Sequence, residues 1–292
     1  MSSTQEQDDR SAPEVVTKYL YRYYSFPDDS LPRPEYESRL ARIESIFSER
    51  KLFFPSPAKF NDPFDCRMEA LEYPSDPKEW EEEAPGVLDR RHPGLSRQQK
   101  RAKLREWGKN KAYDSIDVEG LRRTLQTRVD EHGVLCLSEV FDDLLLWSHY
   151  ANGHTGFCLQ FRRANRFFRD ALPVRYKKKC PIVPAFEDPE ESDFYKALTT
   201  KHKGWSYEKE WRLFQIGCAN QTFVFPEGSL TGVILGCRIS EEHKRLLVDL
   251  AASMAVRPGI AKAKRNQMEY RLDFLRLKSY GGVLISDDIE LG

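Results

Sequence analysis

Hydrophobic positions along this chain fall in short runs that alternate with stripes at helical spacing, and that alternation predicts an α+β fold. Residues 18–24 read as a short aromatic strand. Leu40, Ile43 and Phe47 recur at helical spacing and predict an amphipathic helix over 35–50. Leu52, Phe53 and Phe54 form a strand stopped by Pro55 and Pro57, and a loop dense in turn formers follows over 56–65. Strands are expected again over 134–137 and 156–161, with a helix over 142–150 between them that ends at Asn152-Gly153. Further strands are expected over 207–216, 221–225, 231–235 and 271–277. A helix begun by Ser240, with Leu246, Leu247, Leu250 and Met254 on its inner face, falls between the last two. The expected architecture is a mixed, mostly antiparallel sheet core with flanking helices.

Residues 74–131 break the pattern. They are rich in charge, punctuated by Pro85-Gly86 and Pro93-Gly94, and carry an apolar stripe only near their end, at Val118, Leu121, Leu125 and Val129. This segment is expected to be a helical insertion, more solvated than the rest and with few contacts to the sheet. Residues 1–17 are polar and read as a disordered tail without the apolar stretch of a signal peptide, leaving 18–292 as a single α+β domain. No run is long enough to span a bilayer, so no membrane is expected.

Composition narrows the partners. The 46 Lys and Arg balance 46 Asp and Glu, so no global field recruits nucleic acid or an anionic membrane. Local clusters at Arg162-Arg163, Arg175-Tyr176-Lys177-Lys178-Lys179, and Lys201 with Lys203 keep nucleic acid open as a partner, although no recognition-helix signature accompanies them. Cysteines 66, 136, 158, 180, 218 and 237 are scattered without a Cys-x-x-Cys spacing. They are expected to be reduced, mostly buried thiols of a cytoplasmic protein, with no metal site. The pattern leaves the oligomeric state open.

The candidate chemistry concentrates at 207–216. On a period of two, Glu208, Glu210 and Arg212 share one strand face, while Tyr207, Trp211 and Leu213 largely define the other. Glu is depleted in strands and rarely buried unpaired, so the trio is either a structural ion-pair ladder or a site that uses charge. Asn61-Asp62-Pro63 is a turn whose side chains bond nearby amides; Asp62 and Asp65 read as loop architecture and Asn61 as an amide that contacts a ligand. Near a helix end, Leu144, Leu145 and Trp147 read as core. His149 reads either as a structural histidine or as a hydrogen-bond donor or proton shuttle near neutral pH.

Four islands carry a family resemblance: Tyr21-Arg22-Tyr23; Leu52-Phe53-Phe54 through Ser56-Pro57 into Phe60-Asn61-Asp62-Pro63-Phe64-Asp65; Cys136-Leu137-Ser138-Glu139 through Trp147-Ser148-His149-Tyr150-Ala151; and Trp205-x-Tyr207-Glu208-x-Glu210-Trp211-Arg212. They resemble the mainly bacterial family catalogued as domain of unknown function 2971, whose name states no activity. The order of elements also resembles the ADP-ribosyltransferase fold. That likeness implies NAD as co-substrate, Glu210 or Glu208 as the catalytic glutamate, Arg22 as the cation that holds NAD, and Ser138 as the middle-strand serine. The chain departs from that pattern where Glu139 follows Ser138 in place of a second hydroxyl residue, and where Arg212 trails the glutamates.

The chemistry fits the same residues. Breaking the nicotinamide–ribose bond builds oxocarbenium-like charge that a fixed carboxylate stabilises. The diphosphate needs a cation such as Arg22, nicotinamide favours an aromatic face such as Tyr21 or Tyr23, and Asn61, Ser138 and Arg212 supply further polar contacts. The expectation is an NAD-consuming ADP-ribosyl transferase or glycohydrolase, in the role of a toxin or antiviral effector. It would have Glu210, Glu208 and His149 as catalytic residues, converging with Arg22 and Asn61 on one pocket, and Glu210 would be the most sensitive. Two alternatives stand beside it: a metal-dependent nuclease or phosphodiesterase using Asp62, Glu208, Glu210 and His149, and a non-catalytic module that senses a nucleotide or small molecule.

Overall fold

The computed structural model describes residues 17–68, 70–72, 92–109, 118–184, 191–280 and 283–284, together with 82, 84–86, 88, 89 and 291. Along the chain run β1 (Tyr19–Tyr24), α1 (Arg33–Ser48), β2 (Lys51–Phe54), β3 (Ala70–Glu72), α2 (Arg97–Lys109), α3 (Val118–Asp130), β4 (Gly133–Ser138) and α4 (Leu144–Tyr150). There follow β5 (Phe157–Arg162), β6 (Leu172–Pro173), β7 (Arg175–Lys177), β8 (Ile182–Pro184), α5 (Glu191–Leu198), β9 (Thr200–His202) and β10 (Glu210–Gln215). The chain continues through β11 (Gln221–Val224), β12 (Leu230–Leu235), α6 (Glu241–Ser253), β13 (Gly259–Arg265), β14 (Leu272–Arg276), β15 (Ser279–Tyr280) and β16 (Val283–Leu284).

Eight strands make one sheet in the order β14-β13-β12-β5-β1-β4-β10-β6. Only β12 and β13 run parallel; the other neighbours are antiparallel, so the fold is α+β on a mixed, mostly antiparallel sheet. The parallel pair is joined through α6, as a parallel pairing requires a crossover. Ser240 Oγ starts that helix by accepting from His243 N at 3.1 Å, with Glu241 and Glu242 in its first turn. Sequence reasoning missed β13, whose Gly259-Ile260-Ala261-Lys262-Ala263-Lys264-Arg265 offers few β-branched or aromatic side chains.

Both faces of the sheet are covered at its centre. That is why β5 and β12 are buried at every position but Arg162 and read as continuous apolar runs. One face packs Leu20, Leu135, Phe157, Leu159 and Leu213 against Ile43 and Phe47 of α1 and Leu247 and Val248 of α6. The apolar cover of the other face divides in two. Tyr19, Tyr21, Cys158 and Ile234 pack on Trp147 of α4, whereas Val134 of β4 packs with Leu125 and Val129 of α3, Met68 and Leu198. The functional candidates lie where that cover divides.

Two expectations need amendment. Residues 207–209 do not extend β10. Residues Lys203–Glu208 form a 3₁₀ turn, and Lys209 stands at φ 42°, so Glu208 leaves the pleat that carries Glu210 and Arg212. At the end of the segment 74–131, α3 buries Leu125 and Val129 of the expected stripe in the core and keeps Glu119, Arg123, Thr127 and Arg128 exposed. Other parts of that segment, and residues 1–16 of the expected N-terminal tail, lie outside the described residues. All six cysteines are free. Cys66 and Cys158 are buried, but Cys180 is exposed and the other three only partly covered, because Cys136 lines a cavity and Cys180, Cys218 and Cys237 lie in loops. No helix among the described residues is long and apolar enough to cross a membrane.

Candidate functional site

Three strands align the site. β1 meets β4 at Tyr21↔Ser138, and β4 meets β10 at Ser138↔Glu210 and Cys136↔Arg212. Tyr21, Ser138 and Glu210 therefore form one row on one face, with Arg212 one row behind. Ser138 does structural work within it. Its Oγ donates to the Glu208 carbonyl at 2.7 Å and accepts from Val140 N at 3.0 Å, which pins the 3₁₀ turn and brings Glu208 beside Glu210.

Five charged side chains meet there in the protein interior. Arg212 is 0 % exposed. Its Nε and Nη2 grip Glu210 Oε1 and Oε2 at 2.8 and 3.0 Å, Nη2 also reaches Asp65 Oδ2 at 2.6 Å, and Nη1 donates to the Leu198 carbonyl at 2.7 Å and lies 3.0 Å from Cys66 Sγ. This is the fork geometry that a guanidinium alone provides. Lys201, at the centre of β9, places Nζ at 2.5 Å from Glu208 Oε2, 3.0 Å from Glu210 Oε2 and 3.6 Å from Asp65 Oδ2. Its ammonium thus occupies the point where three carboxylates converge. Among the described residues, no group of His, Cys, Asp and Glu is arranged to hold a metal ion.

Three carboxylates face two cations, and burial makes the imbalance count. Burial alone would raise Glu210, but Arg212 and Lys201 outweigh it and hold that carboxyl down at about 2. Glu208 moves the other way: burial, and then the charge of Glu210, raise it despite Lys201. Burial would lower the Lys201 ammonium, yet Glu210, Glu208 and Asp65 raise it, so it stays protonated. The Tyr150 hydroxyl donates to Glu208 Oε1 at 2.6 Å, and burial together with Glu208 pushes its titration up. Tyr176 accepts from Glu210 N at 2.7 Å.

The two glutamates differ in what remains free. A carboxylate has about four lone-pair sites. Glu210 accepts from Arg212 Nε, Arg212 Nη2, Lys201 Nζ and the Cys136 thiol, and is saturated. Among the described residues, Glu208 accepts from Lys201 and Tyr150 only.

A cavity of about 360 Å³ opens beside the cluster. Glu208, Glu210, Tyr150 and Lys201 line it together with Tyr21, Tyr23 and Ser138, and Arg22, Asn61 and His149 also reach it. Arg212 does not; it stands behind Glu210. Asn61 and His149 are exposed, and the His149 ring stands edge-on to Trp205 at 6.2 Å between centroids. Tyr21 and Tyr23 are already packed, on Phe141 and Trp147. Arg22 donates from Nη1 to the Cys136 carbonyl at 2.8 Å, while its Nε is buried without a partner. Asp62 anchors the loop by accepting from Trp205 Nε1 at 2.6 Å and from Phe64 N at 2.9 Å.

Sequence reasoning missed three members. Asp65 reads as a loop residue but is a buried acceptor of Arg212. Lys201 reads as part of a solvated basic cluster but is buried among carboxylates. Tyr150 reads as core but bonds Glu208. The available signal was charge balance: two glutamates and one arginine destined for one interior face need further cations.

A pH prediction follows from Glu210. Its folded pKa is depressed, so it contributes stability that is present above the ordinary carboxylate range and lost as pH falls toward about 2. Glu208, being raised, acts in the opposite sense. Thermal midpoints measured from pH 7 downward should fall below about pH 5 in the parent protein, and Glu210→Gln should flatten that part of the profile. An identical slope in both proteins would show that Glu210 is not held ionised by the cluster.

An α+β protein with a buried ion cluster at a cavity wall is the class these observations define. The family described as "Protein of unknown function (DUF2971)" matches residues 146–213. That stretch carries His149, Tyr150, Lys201, Glu208, Glu210 and Arg212, and the match supports the first resemblance drawn from the sequence islands. No curated protein and no solved structure matches the chain, and the likeness to ADP-ribosyltransferases gains no support from these comparisons.

Proposed function

We propose that the cavity binds a dinucleotide of the NAD type and that the protein cleaves its nicotinamide–ribose bond, as a glycohydrolase or ADP-ribosyl transferase. The observation that carries this reading is the split between two carboxyls on one cavity wall. Environments that push paired titratable groups apart assign their roles. Glu210, saturated and held ionised, is the strut that fixes Arg212 and Lys201. Glu208, raised and with acceptor capacity left, is the group that exchanges a proton.

In the step, the bond between ribose C1′ and the pyridinium nitrogen breaks, its electron pair passes to the ring, and neutral nicotinamide leaves. The oxocarbenium ion left at C1′ is stabilised by the Glu208 carboxylate. A water or acceptor hydroxyl then attacks C1′ and gives its proton to Glu208, whose raised pKa makes it the stronger base. The Arg22 cation, which lines the cavity, is suited to the diphosphate, Asn61 and His149 to polar contacts at the rim, and the cavity volume to the nicotinamide–ribose half of the molecule. Such an activity fits a toxin or antiviral effector acting in the cytoplasm.

A second reading is favoured by the saturation of Glu210: a non-catalytic module that senses a nucleotide or small molecule, with the ion cluster as its strut. Incubating the purified protein with NAD and following free nicotinamide by chromatography separates the two. Release by the parent protein supports cleavage. Thermal stabilisation by NAD without release supports sensing.

A further inference from the structure

On the opposite side of α4 lies a second, larger concavity of about 1170 Å³, built around the hairpin of β13 and β14. Leu144 and Ser148 of α4 face it, whereas Leu146, His149 and Tyr150 face the glutamate cavity. Spacings of four on one side, and of three and four on the other, are what two faces of a single helix require.

Its walls carry Arg238, Lys262, Lys264, Arg265 and Arg271 against Glu269. In a chain whose charges balance, this is a concentrated positive surface. Arg271 is compensated by Glu269 at 2.7 Å and Asp273 at 3.3 Å. Among the described residues, no carboxylate makes an ion pair with Lys262, Lys264 or Arg265. Arg238, from the loop after β12, bonds the neutral Gly153 carbonyl at 3.2 Å, and no other partner of its side chain stands among the described residues. Arg238, Lys262 and Arg265 line the same concavity as Cys237. At the tip of the hairpin, Tyr270 is 101 % exposed and Met268 92 % exposed. An aromatic ring held fully in water on a basic rim has a stacking face to offer.

We infer that this groove binds a single-stranded nucleic acid, with Lys262, Lys264, Arg265 and Arg238 on its phosphates and Tyr270 stacked on a base. Lys262 and Lys264 project from one face of β13 and Arg265 from the other, and a flexible phosphodiester chain can follow them along the concavity. A flat anionic membrane surface cannot enter it, although exposed Met and Tyr beside basic residues would otherwise suit one. Cations that track the backbone, with an aromatic platform for the bases, are the elements of sequence-tolerant single-strand binding. The groove is independent of the reaction proposed for the glutamate cavity.

Fluorescence anisotropy of labelled oligothymidylate and oligouridylate of about 20 nucleotides, titrated with the full chain from about 50 to about 200 mM salt, tests this. The parent protein should bind either strand, more weakly as salt rises. Lys262→Gln/Lys264→Gln/Arg265→Gln should reduce the slope of log affinity against log salt by about 2. Tyr270→Ala should weaken binding about tenfold at each salt concentration. Tyr270, Lys264 and Arg265 are exposed, and Gln at the half-buried Lys262 keeps most of its stem, so the variants should keep the thermal midpoint of the parent. Lys177→Gln/Lys178→Gln/Lys179→Gln, on the exposed run after β7, should change affinity far less. The inference is overturned if the parent does not bind either oligonucleotide at low salt, or if the control triple weakens binding as much as the groove triple. It is equally overturned if Tyr270→Ala is without effect, or if phosphatidylserine vesicles are bound and oligonucleotides are not.

Discussion

Arg212→Met should lose about 3–5 kcal/mol of folding stability, a large share of the about 5–15 kcal/mol that a domain has. The substitution keeps much of the apolar stem and removes a guanidinium that is 0 % exposed. It leaves Asp65 and Glu210 charged in the interior with only Lys201 between them, and deprives the Leu198 carbonyl of its donor. Breaking a buried pair on one side is costly because the remaining charge has neither water nor partner. The surface pair Arg33–Glu37 gives the contrast, at 2.7 Å but with side chains 79 % and 60 % exposed. Arg33→Met should change stability by less than about 1 kcal/mol. Urea unfolding of both variants checks the difference. The gap between Arg212→Met and the parent should narrow as pH falls, because the stranded carboxylates take up protons. A loss below about 1 kcal/mol for Arg212→Met would mean that the cluster is not held together by its charges.

The second large effect concerns the two glutamates. Glu208→Gln should reduce nicotinamide release by about 10²–10⁴-fold while leaving the fold intact. The amide keeps the shape, its oxygen can accept from Lys201 while its NH2 donates to the Tyr150 hydroxyl oxygen, and Lys201 retains Glu210 and Asp65. Removing one of three carboxylates also brings the cluster to two negative and two positive charges, so stability should hold or rise. Glu210→Gln has the opposite profile. It weakens the grip of both Arg212 and Lys201 and should lower the thermal midpoint clearly, with activity falling along with the folded fraction. Circular dichroism melts beside rate measurements separate the two behaviours.

Much of the sheet can be read from the chain because its strands are short apolar runs bounded by Pro, Gly and Asn, as at Leu52-Phe53-Phe54 before Pro55 and at 156–161 after Asn152-Gly153. The helix begun by Ser240 is equally legible, since its cap and its stripe at Leu246, Leu247 and Leu250 agree. β13 is not, because Lys262 and Lys264 alternate with small Ala261 and Ala263, and its place in the sheet comes from parallel pairing with β12 rather than from its own propensity. The glutamates and Arg22, Asn61 and His149 could be singled out by residue type, and they do line one cavity. Their energetic order could not. Period-two reasoning placed Glu208 and Glu210 on one strand, whereas the left-handed Lys209 puts Glu208 on a turn and so gives it a different environment. Lys201 and Asp65 join the cluster through chain segments distant in sequence from β4 and β1, which no local pattern encodes. The basic groove was hidden for the same reason, since Arg238 meets Lys262 and Arg265 only once α6 has carried the chain back to the sheet.

The initial rate of nicotinamide release from NAD, compared between Glu208→Gln and Glu210→Gln and corrected for folded protein, tests the central claim most directly. The account predicts measurable release by the parent, loss of it in Glu208→Gln at unchanged thermal midpoint, and residual release in Glu210→Gln in proportion to the protein that remains folded. Release by Glu208→Gln at the parent rate would contradict it.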